Sequence, residues 1–302
     1  CAAPSATVHQ EVLPHTPRVA RVVSPIRKTA PRQARGSMKL EVLHRPAAGY
    51  SNNPTLLLIH GSYCAAWVWT EHYLPFFAAH GYPCAAVSLR GHGQSPGNLA
   101  FASFADYVAD VAGVAAGLGP TVLLGHSLGG LVAQHVAAAA HRVSGLVMLA
   151  STPPSGLGMC SLHMMTHAPE VLMQLWLLQN LGTAAVSAPA MHRALFSPDT
   201  PMTTVEAMMP RLQRESNRVM FDLLAPPRLR PRTDGAVPSL VVGGDADKFL
   251  PVHAFDEAAA FWNAEKHILS GAPHALMADS RYWRSSADII LDWLARQEPQ
   301  AS

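Results

Sequence analysis

The stretch GHSLGG at residues 125–130 places one serine, Ser127, between glycines two positions away on either side. The apolar run at 121–124 precedes it, and a good helical sequence at 128–140 follows it. A sharp strand-to-helix turn exposes the side chain at its apex and has room only for very small residues at those two flanking positions. Glycine-rich turns also join strands to helices for packing reasons alone. In this context, G-x-S-x-G predicts a tight turn that presents Ser127 as a nucleophile.

A repeated alternation of strand and helix patterns surrounds this turn. Short apolar runs predict strands at 39–44, 55–60, 83–89, 121–125, 143–150, 239–243 and 267–269. Helical periodicity occurs at 103–118, where Ser103 and Asp106 have the spacing of a capping box, and again at 283–294. Alternating strands and helices predict an α/β fold whose mostly parallel sheet is covered by helices on both faces.

Two segments depart from this alternation. Residues 1–37 carry six basic residues against one acid and five prolines, which predicts a disordered basic leader. This composition suits the remnant of an organelle transit peptide; a flexible leader before Met38 and a lipid-modified Cys1 are the alternatives. Residues 152–235 contain nine of the twelve methionines and helical patterns at 163–181 and 203–224. We interpret 152–235 as a helical cap inserted between two parts of the core, 38–151 and 236–302.

Charge and composition exclude several classes of partner. The chain is 49% hydrophobic and 14% charged, which indicates a large buried core. The net charge is +2, but the basic excess lies in the leader, so we expect no nucleic-acid partner. No apolar run is long enough to predict a membrane span. The four cysteines lack metal-ligand spacing, so we expect no metal and no cofactor. The oligomeric state is left open.

A serine nucleophile requires an acid and then a histidine later in the chain. The strand predicted at 239–243 runs into a turn that holds Asp245 and Asp247, and the next strand is followed by GAPH, which ends at His274. Open α/β sheets place their active sites at the carboxyl ends of strands, where these turns lie. We therefore expect His274 to take the proton of Ser127, and one of the two aspartates to orient its imidazole.

An oxyanion also needs two backbone amides. One should belong to Leu128, directly after the nucleophile, and the other to the loop after an early strand. That loop is IHGSYCAAWVW at 59–69, where Gly61 allows close backbone approach and Ser62 is the candidate donor. We interpret His60 as a structural hydrogen-bonding residue.

These motifs together resemble the α/β-hydrolase superfamily. The stretches HGS (60–62), LRGHGQS (89–95), GHSLGG (125–130), GGDADKFLP (243–251) and GAPH (271–274) occur in the order typical of that family. The resemblance implies Ser127 as nucleophile, Asp247 as acid with Asp245 as the alternative, and His274 as base. It also implies an oxyanion hole at Ser62 and Leu128.

Residues 60–95 look most like the plant and algal plastid branch, which implies a chloroplast location, with a cytoplasmic one as the alternative. The function that follows is hydrolysis of a small hydrophobic carboxylic ester through an acyl-enzyme. A plastid lipid, phytyl or chlorophyll ester, reached from a membrane surface without an integral membrane segment, is the candidate substrate. A thioesterase, a cofactor-free perhydrolase or a lyase with the same triad, or a non-enzymatic small-molecule receptor, are the alternatives.

Overall fold

A computed structural model describes residues 38–140, 143–230 and 236–297. The predicted leader at 1–37 lies outside the described residues, as do the short segments 141–142 and 231–235 and the end of the chain from 298.

A seven-stranded sheet forms the centre of the described chain. Its strands are β1 (Val42–Arg45), β2 (Thr55–Ile59), β3 (Cys84–Val87), β4 (Thr121–His126), β5 (Val143–Leu149), β6 (Ser239–Gly244) and β7 (Glu265–Leu269). They lie in the order β1-β3-β2-β4-β5-β6-β7, and β1 is antiparallel to β3 while the other neighbouring pairs are parallel. Strands β3 and β4 are buried along their whole length, which explains their continuous apolar character. The predicted mostly parallel α/β sheet is confirmed.

Ten α-helices accompany the sheet in the described residues. They are α1 (Tyr73–Ala79), α2 (Phe104–Ala116), α3 (Leu128–Ala139), α4 (Gly158–His167), α5 (Pro169–Leu181), α6 (Ala188–Leu195), α7 (Met202–Met208), α8 (Asn217–Asp222), α9 (Val252–Trp262) and α10 (Trp283–Gln297). The predicted capping box begins α2: Ser103 Oγ accepts a hydrogen bond from the Asp106 amide, and the Asp106 carboxylate accepts one from the Ser103 amide.

Helices cover both faces of the sheet. A Cβ at Gly145 of β5 would lie 3.0 Å from Trp293 of α10, and a Cβ at Gly243 of β6 would lie 2.6 Å from Phe255 of α9. The register between β5 and β6 puts Gly145 and Gly243 on opposite faces, so α9 and α10 pack on opposite sides. A hydrogen bond from Trp262 Nε1 to a glutamine of α3 groups α9 with α3, and α1 contacts α10.

The segment between β5 and β6 contains shorter helices than the sequence pattern predicts. The stretch 163–181, expected as one helical run, is two helices, because Pro169 cannot continue α4 and instead begins α5. The stretch 203–224 is likewise divided: α7 runs into a 3-10 turn, Met209–Arg211, and α8 starts again after the capping residue Ser216. The division into core and cap stays a prediction.

Three strands differ from expectation by two or more residues at one end: β1 lies at 42–45 rather than 39–44, β3 at 84–87 rather than 83–89, and β7 begins two residues before 267. Within the described part of the chain, no helix is both long enough and apolar enough to cross a membrane.

Candidate active site

The turn between β4 and α3 holds Ser127 in a strained conformation. Its backbone angles are φ 52° and ψ −120°, in a region that residues other than glycine rarely adopt. A Cβ at Gly125 would lie 2.6 Å from backbone atoms of Gly129 and Gly130. A Cβ at Gly129 would collide with the carbonyl oxygens of Ile59 and the residue after it. Both glycines of the motif are therefore required for the turn to close against β2.

Ser127 stands at the N-cap position of α3, but its side chain does not cap the helix. It makes no capping hydrogen bond to α3, and the residue lines a cavity of about 420 Å³. His274 lines the same cavity. Hydrogen bonds within the described ranges do not include one from the Ser127 hydroxyl to the His274 imidazole, so that proton-transfer contact stays a prediction.

His274 is paired with Asp247. Its Nδ1 lies 2.7 Å from Asp247 Oδ2, and both side chains are almost fully buried. The other carboxylate oxygen, Oδ1, accepts hydrogen bonds from the amides of Phe249 (2.8 Å) and Leu250 (3.0 Å). Because those amides fix the carboxylate, Oδ2 is held for the imidazole. The Nδ1–H tautomer follows, and it leaves Nε2 as the free acceptor.

Asp245, the alternative acid, has different partners. Its carboxylate accepts hydrogen bonds from the Gly271 amide (2.5 Å) and the Ser270 hydroxyl (3.2 Å), and these contacts are exposed. It therefore fastens the turn before His274 instead of contacting the imidazole.

The two predicted oxyanion residues, Ser62 and Leu128, lie beside the turn between β4 and α3. Leu128 is the first residue of α3, and its amide has no acceptor within the helix. Ser62 follows Gly61, where a Cβ would lie 3.0 Å from Ser127 Cβ, so the loop after β2 approaches the nucleophile closely. Neither amide donates a backbone hydrogen bond within the described ranges. The assignment of both as oxyanion donors stays a prediction.

His60 has the structural role expected from the sequence. Its Nδ1–H donates to the Gly61 carbonyl (2.7 Å), and its Nε2 accepts from the Leu89 amide (3.0 Å). Complete burial lowers the pKa of His60 to about 3, so the ring is neutral. It joins the loop after β2 to the end of β3.

Two residues of the site were missed by the sequence analysis. The ring of Phe249 stacks on His274, with 4.5 Å between ring centroids and 25° between planes. The Nε2–H of His126 donates to the His274 carbonyl (3.0 Å), and burial lowers the pKa of His126 well below its ordinary value. Phe249 stands two residues after Asp247 and His126 stands directly before Ser127, so their place inside a motif was the available signal.

The shared cavity is large and apolar. It has a volume of about 420 Å³, and both the core loops and the segment between β5 and β6 form its walls. Among the described residues that line it, none is Asp, Glu, Lys or Arg. Members from α4, α5 and α8 include Met164, Leu172, Leu175 and Met220. An uncharged, elongated group fits such walls at the lowest desolvation cost.

Metal and thiol chemistry have little support in the described ranges. No group of three His, Cys, Asp or Glu side chains there could hold a metal ion. Cys64, Cys84 and Cys160 are free, and burial raises the pKa of each thiol to about 12.

Comparison with known proteins decides the family. The model of the alpha/beta hydrolase family matches residues 56–283, which is most of the chain. The chain belongs to the alpha/beta hydrolase family. The predicted hydrolase fold with its mostly parallel sheet is thereby confirmed, while its placement in a plastid branch stays a prediction.

Named relatives of this alpha/beta hydrolase include esterases and a lipase. A pimeloyl-[acyl-carrier protein] methyl ester esterase of Xylella fastidiosa is 29% identical over 244 residues, covering 74% of this chain and 88% of the relative. Lipase LipV of Mycobacterium tuberculosis is 39% identical over 115 residues, and the match spans only 35% of this chain and 41% of the lipase.

Solved structures show the same fold at lower identity. The monoacylglycerol lipase of Paleococcus ferrophilus has a TM-score of 0.63 at 18% identity, covering 86% of this chain and 100% of the lipase. A thermophilic esterase from Thermogutta terrifontis has a TM-score of 0.65 at 18% identity, covering 89% of this chain and 97% of the esterase.

Proposed function

We propose that this alpha/beta hydrolase cleaves a hydrophobic carboxylic ester through an acyl-enzyme formed on Ser127. One observation carries the proposal: Ser127, on a strained turn, and His274, whose imidazole is paired with the buried Asp247, line the same cavity. The esterase and lipase names of the relatives agree with ester hydrolysis.

The proposed reaction has two halves. In the first, Ser127 Oγ attacks the ester carbonyl while its proton passes to His274 Nε2, and Asp247 stabilises the resulting imidazolium. The amides of Leu128 and Ser62 donate to the oxyanion of the tetrahedral intermediate. His274 then gives its proton to the departing alcohol, which leaves the acyl group on Oγ. In the second half, His274 takes a proton from water, the hydroxide attacks the acyl group, and the carboxylic acid is released with the Ser127 hydroxyl restored.

The cavity supports an uncharged, apolar substrate. A charged group would lose its hydration there without gaining an ionic partner from the lining residues. Four methionines and several leucines form much of the wall contributed by the segment after β5, and flexible methionines accept ligands of varied shape. A plastid lipid, phytyl or chlorophyll ester is the substrate class proposed, with a chloroplast location.

The first experiment tests the nucleophile. A fluorophosphonate probe should label the purified protein at Ser127, and Ser127→Ala should abolish both labelling and turnover of chromogenic esters. Absence of labelling in a folded wild-type protein would refute the proposal and leave a non-enzymatic receptor as the better description.

The second experiment determines the substrate. A series of p-nitrophenyl esters of increasing acyl length should show kcat/KM rising with chain length until the cavity is filled, and esters with a terminal carboxylate should be poor substrates. Thioester, peracid and cyanohydrin assays on the same preparation separate the thioesterase, perhydrolase and lyase alternatives by their products. Chlorophyll and phytyl esters follow as named candidates, and a fluorescent fusion tests the location.

A further inference from the structure

A buried cluster of ionisable groups lies behind the loop that carries Ser62. The side chains of His92 and Glu215 are fully buried, and His92 Nε2 is 3.4 Å from Glu215 Oε2. The other oxygen, Oε1, accepts hydrogen bonds from the Tyr107 hydroxyl (2.6 Å) and the Ser216 amide (2.8 Å). A buried ion pair is seldom the most stable way to fill a protein interior, so its presence at this point calls for a role.

The geometry around His92 favours its charged form. Nδ1 lies 3.2 Å from the Arg90 carbonyl, while Nε2 faces the Glu215 carboxylate. Both ring nitrogens therefore face acceptors, which suits an imidazolium with two N–H donors. Neither His92 Nε2 nor Glu215 Oε2 makes a hydrogen bond among the described residues, so their attraction across 3.4 Å is that of an ion pair and needs the charged ring.

The cluster joins the segment between β5 and β6 to the loop after β2. Glu215 belongs to that segment, and two residues earlier the Gln213 amide donates to the Tyr63 carbonyl (2.9 Å). The Gln213 side chain accepts from the Gly93 amide (2.7 Å), directly after His92. Tyr63, next to Ser62, has a φ of 64°, so its unfavourable backbone conformation depends on such contacts.

A second route leads to the same loop. The rings of His92 and His60 are 5.4 Å apart, and His60 donates to the carbonyl of Gly61. From the other side, the Ser62 hydroxyl lies 4.0 Å from the sulfur of Met220, in the segment that Glu215 anchors.

We propose that His92 and Glu215 are positioning residues, whose buried ion pair holds the 213–220 segment against the Gly61–Tyr63 loop and so fixes the Ser62 amide for oxyanion binding. This inference rests on the proposed ester hydrolysis. Neither residue lines the cavity with Ser127. Their effect on the reaction passes through the loop.

Ionisation of the pair supplies a readout of this role. Burial is the largest single influence and pulls the pKa of His92 down, but the charge of Glu215 and the polar contacts of the ring together outweigh it, so the pKa lies above the ordinary value. Burial pushes the pKa of Glu215 up, but His92 and the hydrogen bonds to the carboxylate outweigh it, so the pKa is lowered. The other titratable or charged groups that face the cluster are His60, Tyr63, Cys64, Arg90 and Tyr107.

The lowered pKa of Glu215 and the raised pKa of His92 determine how the stabilisation from the ion pair depends on pH. The stabilisation from Glu215 is present above its unfolded pKa of about 4.3 and is lost as the pH falls through its lower folded pKa. The stabilisation from His92 is present below its unfolded pKa of about 6.5 and is lost as the pH rises through its higher folded pKa. The pair is thus intact across the interval between the two folded pKa values, and its failure on the alkaline side should lower kcat.

The test compares wild type with Glu215→Gln, which keeps the shape and the Tyr107 and Ser216 contacts but removes the charge. A displacement of about 1 Å at a reacting centre can cost about a hundredfold in rate, so we expect kcat to fall by about ten- to a hundredfold. We expect KM to change much less, because neither residue lines the cavity. We also expect His92→Gln to lose the alkaline decline of kcat that wild type shows, since glutamine does not titrate. The double variant should lose no more than the worse single one if the two residues act as a unit.

The matched control is Asp222→Asn. The Asp222 carboxylate also joins the same segment to the core, because it accepts a hydrogen bond from the Phe104 amide (3.1 Å). That hydrogen bond does not involve the loop that carries Ser62. Its kcat should stay within about twofold of wild type, as for substitutions outside strongly coupled sites. If Glu215→Gln does not fold, Tyr107→Phe carries the test, because it removes a single hydroxyl donor to the carboxylate and should lower kcat in the same direction.

The outcomes separate this inference from the proposed function. An active, labelled wild type with unchanged kcat and pH profile in Glu215→Gln and His92→Gln overturns the positioning role and leaves the proposed function intact. A lower melting temperature with unchanged kcat also overturns it, because the cluster would then act in stability alone. Wild type without labelling or turnover refutes both.

Discussion

Replacing Asp247 with asparagine tests the His274–Asp247 pair most directly. The two amides that donate to Oδ1, at 2.8 and 3.0 Å, require an acceptor there, so the asparagine must direct its oxygen to them and its NH₂ group toward His274. The imidazole can then contact that NH₂ group only as an acceptor through Nδ1, which moves its proton to Nε2. An Nε2–H imidazole cannot accept the proton of Ser127.

The expected loss of kcat in Asp247→Asn can be given a size from a known case and from the burial of the pair. The same exchange in a well-studied serine hydrolase lowers kcat by about 10⁴-fold, which is about 5 kcal/mol of transition-state stabilisation. Because the side chains of His274 and Asp247 are 5% and 0% exposed, water has little access to replace the lost acceptor. We expect a loss of about this size in kcat for Asp247→Asn, with KM little changed and the protein still folded.

The assay is steady-state hydrolysis of a chromogenic ester, together with the rate of fluorophosphonate labelling. Asp245→Asn is the matched control, because the Asp245 carboxylate contacts Ser270 and Gly271 on the same turn and does not contact His274. Its kcat should stay within about twofold of wild type. A large loss in Asp245→Asn with near-normal activity in Asp247→Asn would refute the reasoning from the 2.7 Å contact.

Three further substitutions, one with a matched control, test the turn, the aromatic contact and the fold. Gly129→Ala should lower the melting temperature and abolish labelling, because its Cβ would collide with the carbonyl oxygens of Ile59 and His60. The control Gly113→Ala, where the structure has open space, should be neutral or stabilise by up to about 1 kcal/mol. Phe249→Ala should lower kcat more than it raises KM, because the ring stacked at 4.5 Å limits rotation of His274; unchanged kcat would exclude that role. Ser103→Ala should cost about 1 kcal/mol in the free energy of unfolding with no change in kcat, and equal stability in urea titrations would contradict the importance of the capping box.

The core of the fold could be predicted from the sequence because its signals are local. A fully buried parallel strand is a short apolar run, and β4 and β5 are found within a residue of their predicted limits. The segment after β5 was harder, since apolar periodicity continues through residues 163–181 while one residue, Pro169, divides the helix. Apolar periodicity indicates which side of a helical segment is buried. It does not reveal a break between two helices when both bury the same side.

The candidate site likewise contains residues that the sequence could indicate and residues that it could not. Order along the chain indicated Ser127, His274 and one of two aspartates, the family resemblance favoured Asp247, and the structure pairs Asp247 with His274. Nothing local distinguishes Glu215 from other surface-type acids of its segment, because its burial arises from side chains more than 100 residues earlier, such as Tyr107. Contacts of that sequence separation leave no periodic trace in either segment.

The attachment of the segment between β5 and β6 has an evolutionary consequence. The chain leaves β5 after Leu149 and returns at Ser239, and these two strands are hydrogen-bonded neighbours in the sheet. Ser239 is in register with Leu146, three residues before Leu149, so exit and re-entry are separated by roughly 5 Å across the sheet and roughly 10 Å along the strands. Ser127 precedes the detour, whereas Asp247 and His274 follow it. Exchange of this whole segment for that of another hydrolase leaves all three residues in place, so substrate preference can diverge between lineages while Ser127, Asp247 and His274 are inherited unchanged.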